Sequence, residues 1–204
     1  MAAKVGASDN TISTPGIIYY GAAIAGATSL AFDRTGNLWI GASVTTPSAA
    51  RRLTRIASSS LSCPNLNPVT QTPQTLELTS GDRNYTVTSH VSEPTDLALD
   101  PSGNSLWVAN RTGNNLLEFS TASSSTTPSP LKTVTVSGQP SLAPGSLAFD
   151  ARGRLWVGGD SALFSLPAIT GSGSVPADKS FTASFPVSGL AFNLGEADTP
   201  PFLR

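Results

Sequence analysis

Short apolar runs, each closed by a turn bearing Asp and Gly, recur along the chain, and none is sustained at the period of a helix. The clearest is Ser29-Leu-Ala-Phe-Asp-Arg-Thr-Gly-Asn-Leu-Trp-Ile-Gly-Ala42. It returns as Asp96-Leu-Ala-Leu-Asp-Pro-Ser-Gly-Asn-Ser-Leu-Trp-Val-Ala-Asn110 and as Ser146-Leu-Ala-Phe-Asp-Ala-Arg-Gly-Arg-Leu-Trp-Val-Gly-Gly-Asp160. A truncated copy is Gly189-Leu-Ala-Phe-Asn193. Trp39, Trp107 and Trp156, all the tryptophans of the chain, share one motif position. Such internal self-similarity is the signature of a repeat fold.

Each motif predicts a β-hairpin. Leu-Ala-Phe/Leu is a short buried strand, and Leu-Trp-Ile/Val is the returning strand, aromatic and β-branched as strands prefer. Between them, Gly36, Gly103 and Gly153 are available for a positive φ. Asp33, Asp100 and Asp150 cap the turn through their side chains. Third strands are expected at 52–56, 115–119 and 162–166, and fourth strands at 74–79, 131–136 and 179–183. Stretches 123–130 and 172–176, rich in Ser, Thr, Gly and Pro, read as loops. The fold class is therefore all-β, built of four-stranded antiparallel blades in a β-propeller.

The repeat units are about 29–79, 96–136 and 146–183, with a partial unit at 189–193, and residues 1–15 form an N-terminal extension. Ile17-Ile-Tyr-Tyr20 lies where a fourth strand would precede the first unit. About three full blades with partial blades at both ends make an incomplete or strained ring. Three explanations stay open: a piece of a longer propeller, a strained four-blade ring with both ends sharing one blade, or a homodimer that completes the ring.

Composition narrows the function classes. The chain has 204 residues, with 12 basic and 13 acidic side chains and a net charge of -1, so it lacks the basic excess of a nucleic-acid binder. No apolar run approaches the ~18 residues of a membrane span. Cys63 is the only cysteine, which excludes an intrachain disulfide and a cysteine-cluster metal site. His90 is the only histidine, which excludes any mechanism needing two from this chain. No phosphate loop, Gly-x-Ser-x-Gly or His-Glu-x-x-His is present. The N-terminus shows no signal-peptide core. Even so, the low charge and abundant Ser and Thr suit a secreted or cell-surface protein.

The Leu-Ala-Phe-Asp-x-x-Gly-Asn-Leu-Trp-Ile/Val pattern resembles the NHL-type repeat. It is also similar to blades of SMP-30/gluconolactonase-like and streptogramin-lyase-like propellers. The resemblance covers about residues 16–193 and implies the blade architecture; the matching residues are turn and core positions, so it implies no single activity. Such propellers close with six or seven blades, roughly 270 residues or more at this period. The streptogramin-lyase likeness implies a histidine pair with Mg²⁺, which one histidine does not supply.

In propellers of this kind ligands bind at the central mouth, among the loops after second and fourth strands. The long connection 80–95 concentrates Asp82, Arg83, Tyr85, His90 and Glu93 in a chain otherwise poor in charge, and these are the candidate binding residues. Glu93-Pro94 is similar to the Glu-Gly-Pro of lactonase-like propellers, although the Gly is absent here. On that likeness Glu93, Asn110 and Asp160 would form an oxygen-rich site for Ca²⁺ or another divalent cation. Asn84-Tyr-Thr86 and Asn110-Arg-Thr112 match glycosylation acceptors. Two functions follow. One is a non-enzymatic binding module for a protein or glycan, needing no cofactor. The other is a metal-dependent lactonase-like hydrolase.

Overall fold

The repeated Leu-Ala-Phe/Leu and Leu-Trp-Ile/Val segments pair as antiparallel strands, in the same register each time. Ala31 stands opposite Trp39, Ala98 opposite Trp107 and Ala148 opposite Trp156. The small alanine leaves room for the indole across the ladder. The protein is seen here as a computed structural model that describes residues 17–20, 26–42, 52–61, 74–77, 83–87, 90–139 and 141–192.

Blade 1 is β2 (Ala27–Phe32), β3 (Leu38–Ala42), β4 (Arg52–Ile56) and β6 (Arg83–Thr86). Blade 2 is β7 (Pro94–Leu99), β8 (Ser105–Asn110), β9 (Asn115–Ser120) and β10 (Lys132–Val136). Blade 3 is β11 (Ser146–Phe149), β12 (Leu155–Gly158), β13 (Ala162–Ser165) and β15 (Lys179–Thr182). Further strands lie outside this scheme. β1 (Ile17–Tyr20) pairs in parallel with β5 (Gln74–Glu77), and β14 (Gly173–Val175) adds in parallel to the outer edge of β10. The fold is a β-propeller of antiparallel blades, and among the described residues the arc of three does not close into a ring.

Two expected placements are corrected. The fourth strand of the first blade is Arg83–Thr86, not 74–79, so the unit of about 29–79 extends to Thr86. Segment 74–77 alternates like a half-buried fourth strand, but its ladder is with Ile17–Tyr20. The stretch 172–176 is not wholly loop, because Gly173–Val175 finds a backbone partner in β10. Gly189–Phe192 forms no ladder among the described residues, and Asn193 lies outside them.

The core lies between blades. Trp39, Leu53, Tyr85 and Val87 of blade 1 pack against Leu97, Leu106, Val108, Leu117 and Phe119 of blade 2. Trp107, Leu116, Val134 and Val136 of blade 2 pack in the same way against Leu147, Leu155, Val157, Phe164 and Leu166 of blade 3. All three tryptophans are buried. Hydroxyl groups tie the first strands together along the arc. Thr28 Oγ1 donates to Pro94 O (2.6 Å), Thr95 Oγ1 to Pro144 O (2.8 Å) and Ser146 Oγ to Val187 O (2.8 Å). These three carbonyls occupy one repeat position. Residues 187–192 therefore sit where the first strand of a next blade belongs, and Phe192 seats on Trp156 with centroids 5.6 Å apart.

Each hairpin turn is organised by its aspartate. Asp150 Oδ1 accepts from Arg152 N (2.9 Å) and Arg154 N (3.0 Å), while Oδ2 accepts from Trp156 Nε1 (3.0 Å) and Arg154 Nε (2.8 Å). Asp33 repeats this with Thr35 N, Asn37 N and Trp39 Nε1 at 2.9, 3.0 and 3.1 Å. The turn of blade 2 is one residue longer, and there Asp100 takes Ser102 N (3.1 Å) and Ser105 N (2.7 Å). Gly36, Gly103 and Gly153 have φ of 81°, 76° and 75°. Burial alone would raise the Asp33 and Asp150 carboxyls. The hydrogen bonds outweigh burial, lowering Asp33 and holding Asp150 at about 2. Asp96 behaves oppositely. Burial raises it, although it accepts Leu147 N from the next blade at 2.7 Å and Leu97 N at 2.8 Å.

Two predictions follow from the turns. Alanine at Gly36 or Gly153 should cost about 1 kcal/mol or more, because an L-residue is strained at those φ values. Urea unfolding of each variant measures it, and a neutral effect would show that the turn relaxes. The second concerns acid. Asp33 and Asp150 have lowered folded pKa values, so the stability they supply is present above the unfolded value of 3.8 and is lost as pH falls through each folded value, which for Asp150 is about 2. Asp96, with its raised value, contributes the opposite slope just above 3.8. Unfolding free energy measured from pH 5 to 2 should fall steeply, and Asp150→Asn should flatten the fall.

Candidate functional site

The loops after second strands meet the fourth-to-first connections at one end of the arc, and Asn110 is the knot between blades 1 and 2. It closes β8, where the other motif copies have Ala42 and Gly159, and it is 1% exposed. Its Oδ1 accepts from Ser92 N (2.7 Å) and Glu93 N (3.0 Å). Its Nδ2 donates to His90 O (3.2 Å) and Asn115 Oδ1 (2.8 Å). Gly113 passes beneath this amide, where an added Cβ would lie 2.0 Å from Nδ2. The Asn110-Arg-Thr112 acceptor sequence is thus buried at its asparagine and engaged at both side-chain atoms.

Around this knot lies a polar rim. Arg111 N donates to Glu93 O (2.9 Å), and Thr112 Oγ1 donates to Glu93 Oε2 (2.6 Å). The Arg111 guanidinium crosses toward blade 3 and forms an ion pair with Asp160. Both partners are substantially exposed, so the pair is worth ~0–1 kcal/mol. Asn114, in the left-handed region at φ 51°, accepts Ala143 N at 2.9 Å from the next connection. His90 is exposed, with its backbone N–H donating to Val87 O (2.9 Å).

The candidate residues divide accordingly. His90 and Glu93 lie on this rim with Asp160. Tyr85 does not; it is a core residue of β6, stacked on Trp39 at 5.8 Å, with its hydroxyl donating to Ser123 O (2.7 Å). Arg83 is in the same strand, in register with Arg55. Asp82 and Cys63 lie outside the described residues. Arg111 and Thr112 join the rim without having been expected there, although the tripeptide containing them matches an acceptor sequence. Their signal is position: they directly follow the second strand, where a mouth loop begins.

A divalent cation held by Glu93, Asn110 and Asp160 needs three open oxygens. The Asn110 carbonyl oxygen already receives two N–H donors, which fill its acceptor capacity, and Asp160 is paired with Arg111. The residues as placed do not fit that ion. Among the described residues no group of three or more His, Cys, Asp or Glu side chains is gathered for a metal. The rim offers a guanidinium, a hydroxyl, an imidazole and two carboxylates, a set suited to hydrogen-bonded recognition.

No family model and no curated protein matches the chain. Among solved structures it is similar to the hydrazine synthase of Kuenenia stuttgartiensis, with a TM-score of 0.53 and 12% identity over 83% of this chain and 40% of that one. It is also similar to a protein assigned as a gluconolactonase (TM-score 0.52, 17% identity, 80% of this chain and 50% of that one). A protein of unknown function from Desulfotomaculum acetoxidans gives 0.50 and 19%, over 78% and 43%. The chain thus spans at most half the length of these structures. At these identities the likeness carries the fold alone: the chain has the blade architecture of a β-propeller.

Proposed function

We propose that the chain is a binding module of a secreted or cell-surface protein, with the rim formed by His90, Glu93, Arg111, Thr112 and Asp160 contacting a polar group of a protein or glycan. The observation that carries this reading is the state of Asn110. It is the residue a lactonase-like metal site would need, and its side chain instead ties the connection before blade 2 to the loop after β8. Arg111 offers several N–H donors in a planar fork suited to carboxylate or vicinal hydroxyl groups.

The hydrolase reading draws on the likeness to the protein assigned as a gluconolactonase. Thermal unfolding with and without Ca²⁺ separates the two. A real site at 100-fold excess over Kd stabilises by ~2.7 kcal/mol, which is ~5–11 °C in a domain of this size. The binding-module reading predicts no such shift and no lactone hydrolysis. A Ca²⁺ shift abolished by Glu93→Gln would overturn it. A glycan array, probed with the chain and with Arg111→Ala, is the positive test: retained spots should lose intensity about tenfold with the variant, the order of a lost charge-assisted hydrogen bond.

A further inference from the structure

We propose that Ile17–Tyr20 is the outermost strand of a further propeller blade, which packs on the face of blade 1 that carries Leu30 and Phe32. The pairing of β1 repeats an arrangement present elsewhere in the chain. β14 leaves the connection between the third and fourth strands of blade 3 and adds in parallel to β10, the fourth strand of the preceding blade. β5 leaves the same connection of blade 1, between β4 and β6, and adds in parallel to β1. By that equivalence β1 is to blade 1 what β10 is to blade 3. It even precedes β2 in the chain as β10 precedes β11.

The second observation is independent of pairing. Leu30 and Phe32 are 58% and 59% exposed. Leu97 and Leu147, the counterparts of Leu30, are 5% and 4% exposed, and Leu99 and Phe149, the counterparts of Phe32, are partly buried. Leu97 is covered by the Trp39 side of blade 1, and Leu147 by the Trp107 side of blade 2. The Leu30/Phe32 face is thus half of an interface formed twice within the chain. The other edge of β1, unpaired among the described residues, points to the same partner. β10 uses its corresponding edge to hold β9 antiparallel, with Lys132 opposite Glu118 and Val134 opposite Leu116. Ile-Ile-Tyr-Tyr carries no charge or proline, the devices that normally guard an open edge. The occupant is therefore three antiparallel strands of this same repeat. The third pairs with β1, and the second bears a tryptophan that covers Phe32.

The test supplies those strands. Residues 94–131, which carry β7 to β9 and the following connection, are duplicated ahead of Ile17 so that β1 becomes their fourth strand. Phe32→Cys in a Cys63→Ser background reports the face through its rate of thiol labelling. The extended chain should label about tenfold more slowly than the unextended one, as a newly covered site does. Amide exchange at Ile17–Tyr20 should slow in parallel. Equal labelling and equal exchange would overturn the proposal. If the extended chain does not fold, the same stretch added as a separate peptide must slow labelling of the unextended Phe32→Cys variant, and failure there overturns it too. Light scattering tests the rival occupant. Protection that grows with concentration in the unextended chain, together with a doubled mass, would mean that a second copy covers this face and would refute the blade assignment.

Discussion

The fixed position of one indole ring per blade is the constraint on which the rest of the structure depends. In blades 1 and 3 the ring nitrogen donates to the aspartate that caps the hairpin turn, six residues earlier. One carboxylate therefore performs two tasks: it closes the turn through backbone N–H groups and fixes the tryptophan rotamer. The ring so held lies in the cluster that packs against the next blade, where the first strand is laid down. Leu99, Phe149 and Phe192 occupy that position against the successive tryptophan clusters. A charged acceptor for the indole is worth more than a neutral one, which is why burying the N–H is tolerated. Blade 2 shows what the spacing controls. With one more residue in the turn, Asp100 closes the hairpin through Ser105, and the Lys132 ammonium lies 5.8 Å from the Trp107 ring centroid.

Coupling between blades is added at two radii. Near the axis, hydroxyls of Thr28, Thr95 and Ser146 bridge to the carbonyl that opens the following first strand. At the periphery, the outer segments of one blade reach to its neighbour. They do so as a strand in β14, which adds to β10, and as an acceptor in Ser123, which takes the Tyr85 hydroxyl. Blades 2 and 3 are thus each held by the preceding blade through core packing, an inner hydrogen bond and an outer arm. Stability in such an array is close to a sum of nearest-neighbour interfaces, so a blade face without a neighbour is where this fold is least complete. The mouth is built on this frame. Because Asn110 joins the connection before blade 2 to the loop after β8, the rim residues Glu93, Arg111 and Thr112 are positioned by hydrogen bonds.

The hairpins were legible in the sequence because everything that determines them is local: the apolar alternation, the Asp-x-x-Gly turn and the tryptophan six or seven residues on. What the sequence obscured is non-local. Segments 74–77 and 83–86 both fit an outer strand, and only the availability of Ile17–Tyr20 as a parallel partner assigns the first of them elsewhere. Tyr85 looks like a mouth residue because it stands among charged neighbours, yet it alternates inward in β6 and completes the core against Trp39. Asn110 looks like a metal ligand or glycan acceptor because it is polar at the end of a strand. Its four hydrogen bonds come from residues five to twenty positions away, and no local pattern announces them.

The indole–carboxylate link is the most direct point at which to test this account. A double-mutant cycle pairs Trp156→Phe, which removes the N–H donor and keeps an aromatic ring, with Asp150→Asn, which removes the charge and keeps the shape. Unfolding free energies of the four proteins give the coupling between the two side chains. A favourable coupling of about 1.5–3 kcal/mol is expected, the range of a hydrogen bond to a charged group, with a comparable value for Trp39→Phe with Asp33→Asn. Additive effects at both sites would contradict it, because each tryptophan would then be held by packing alone.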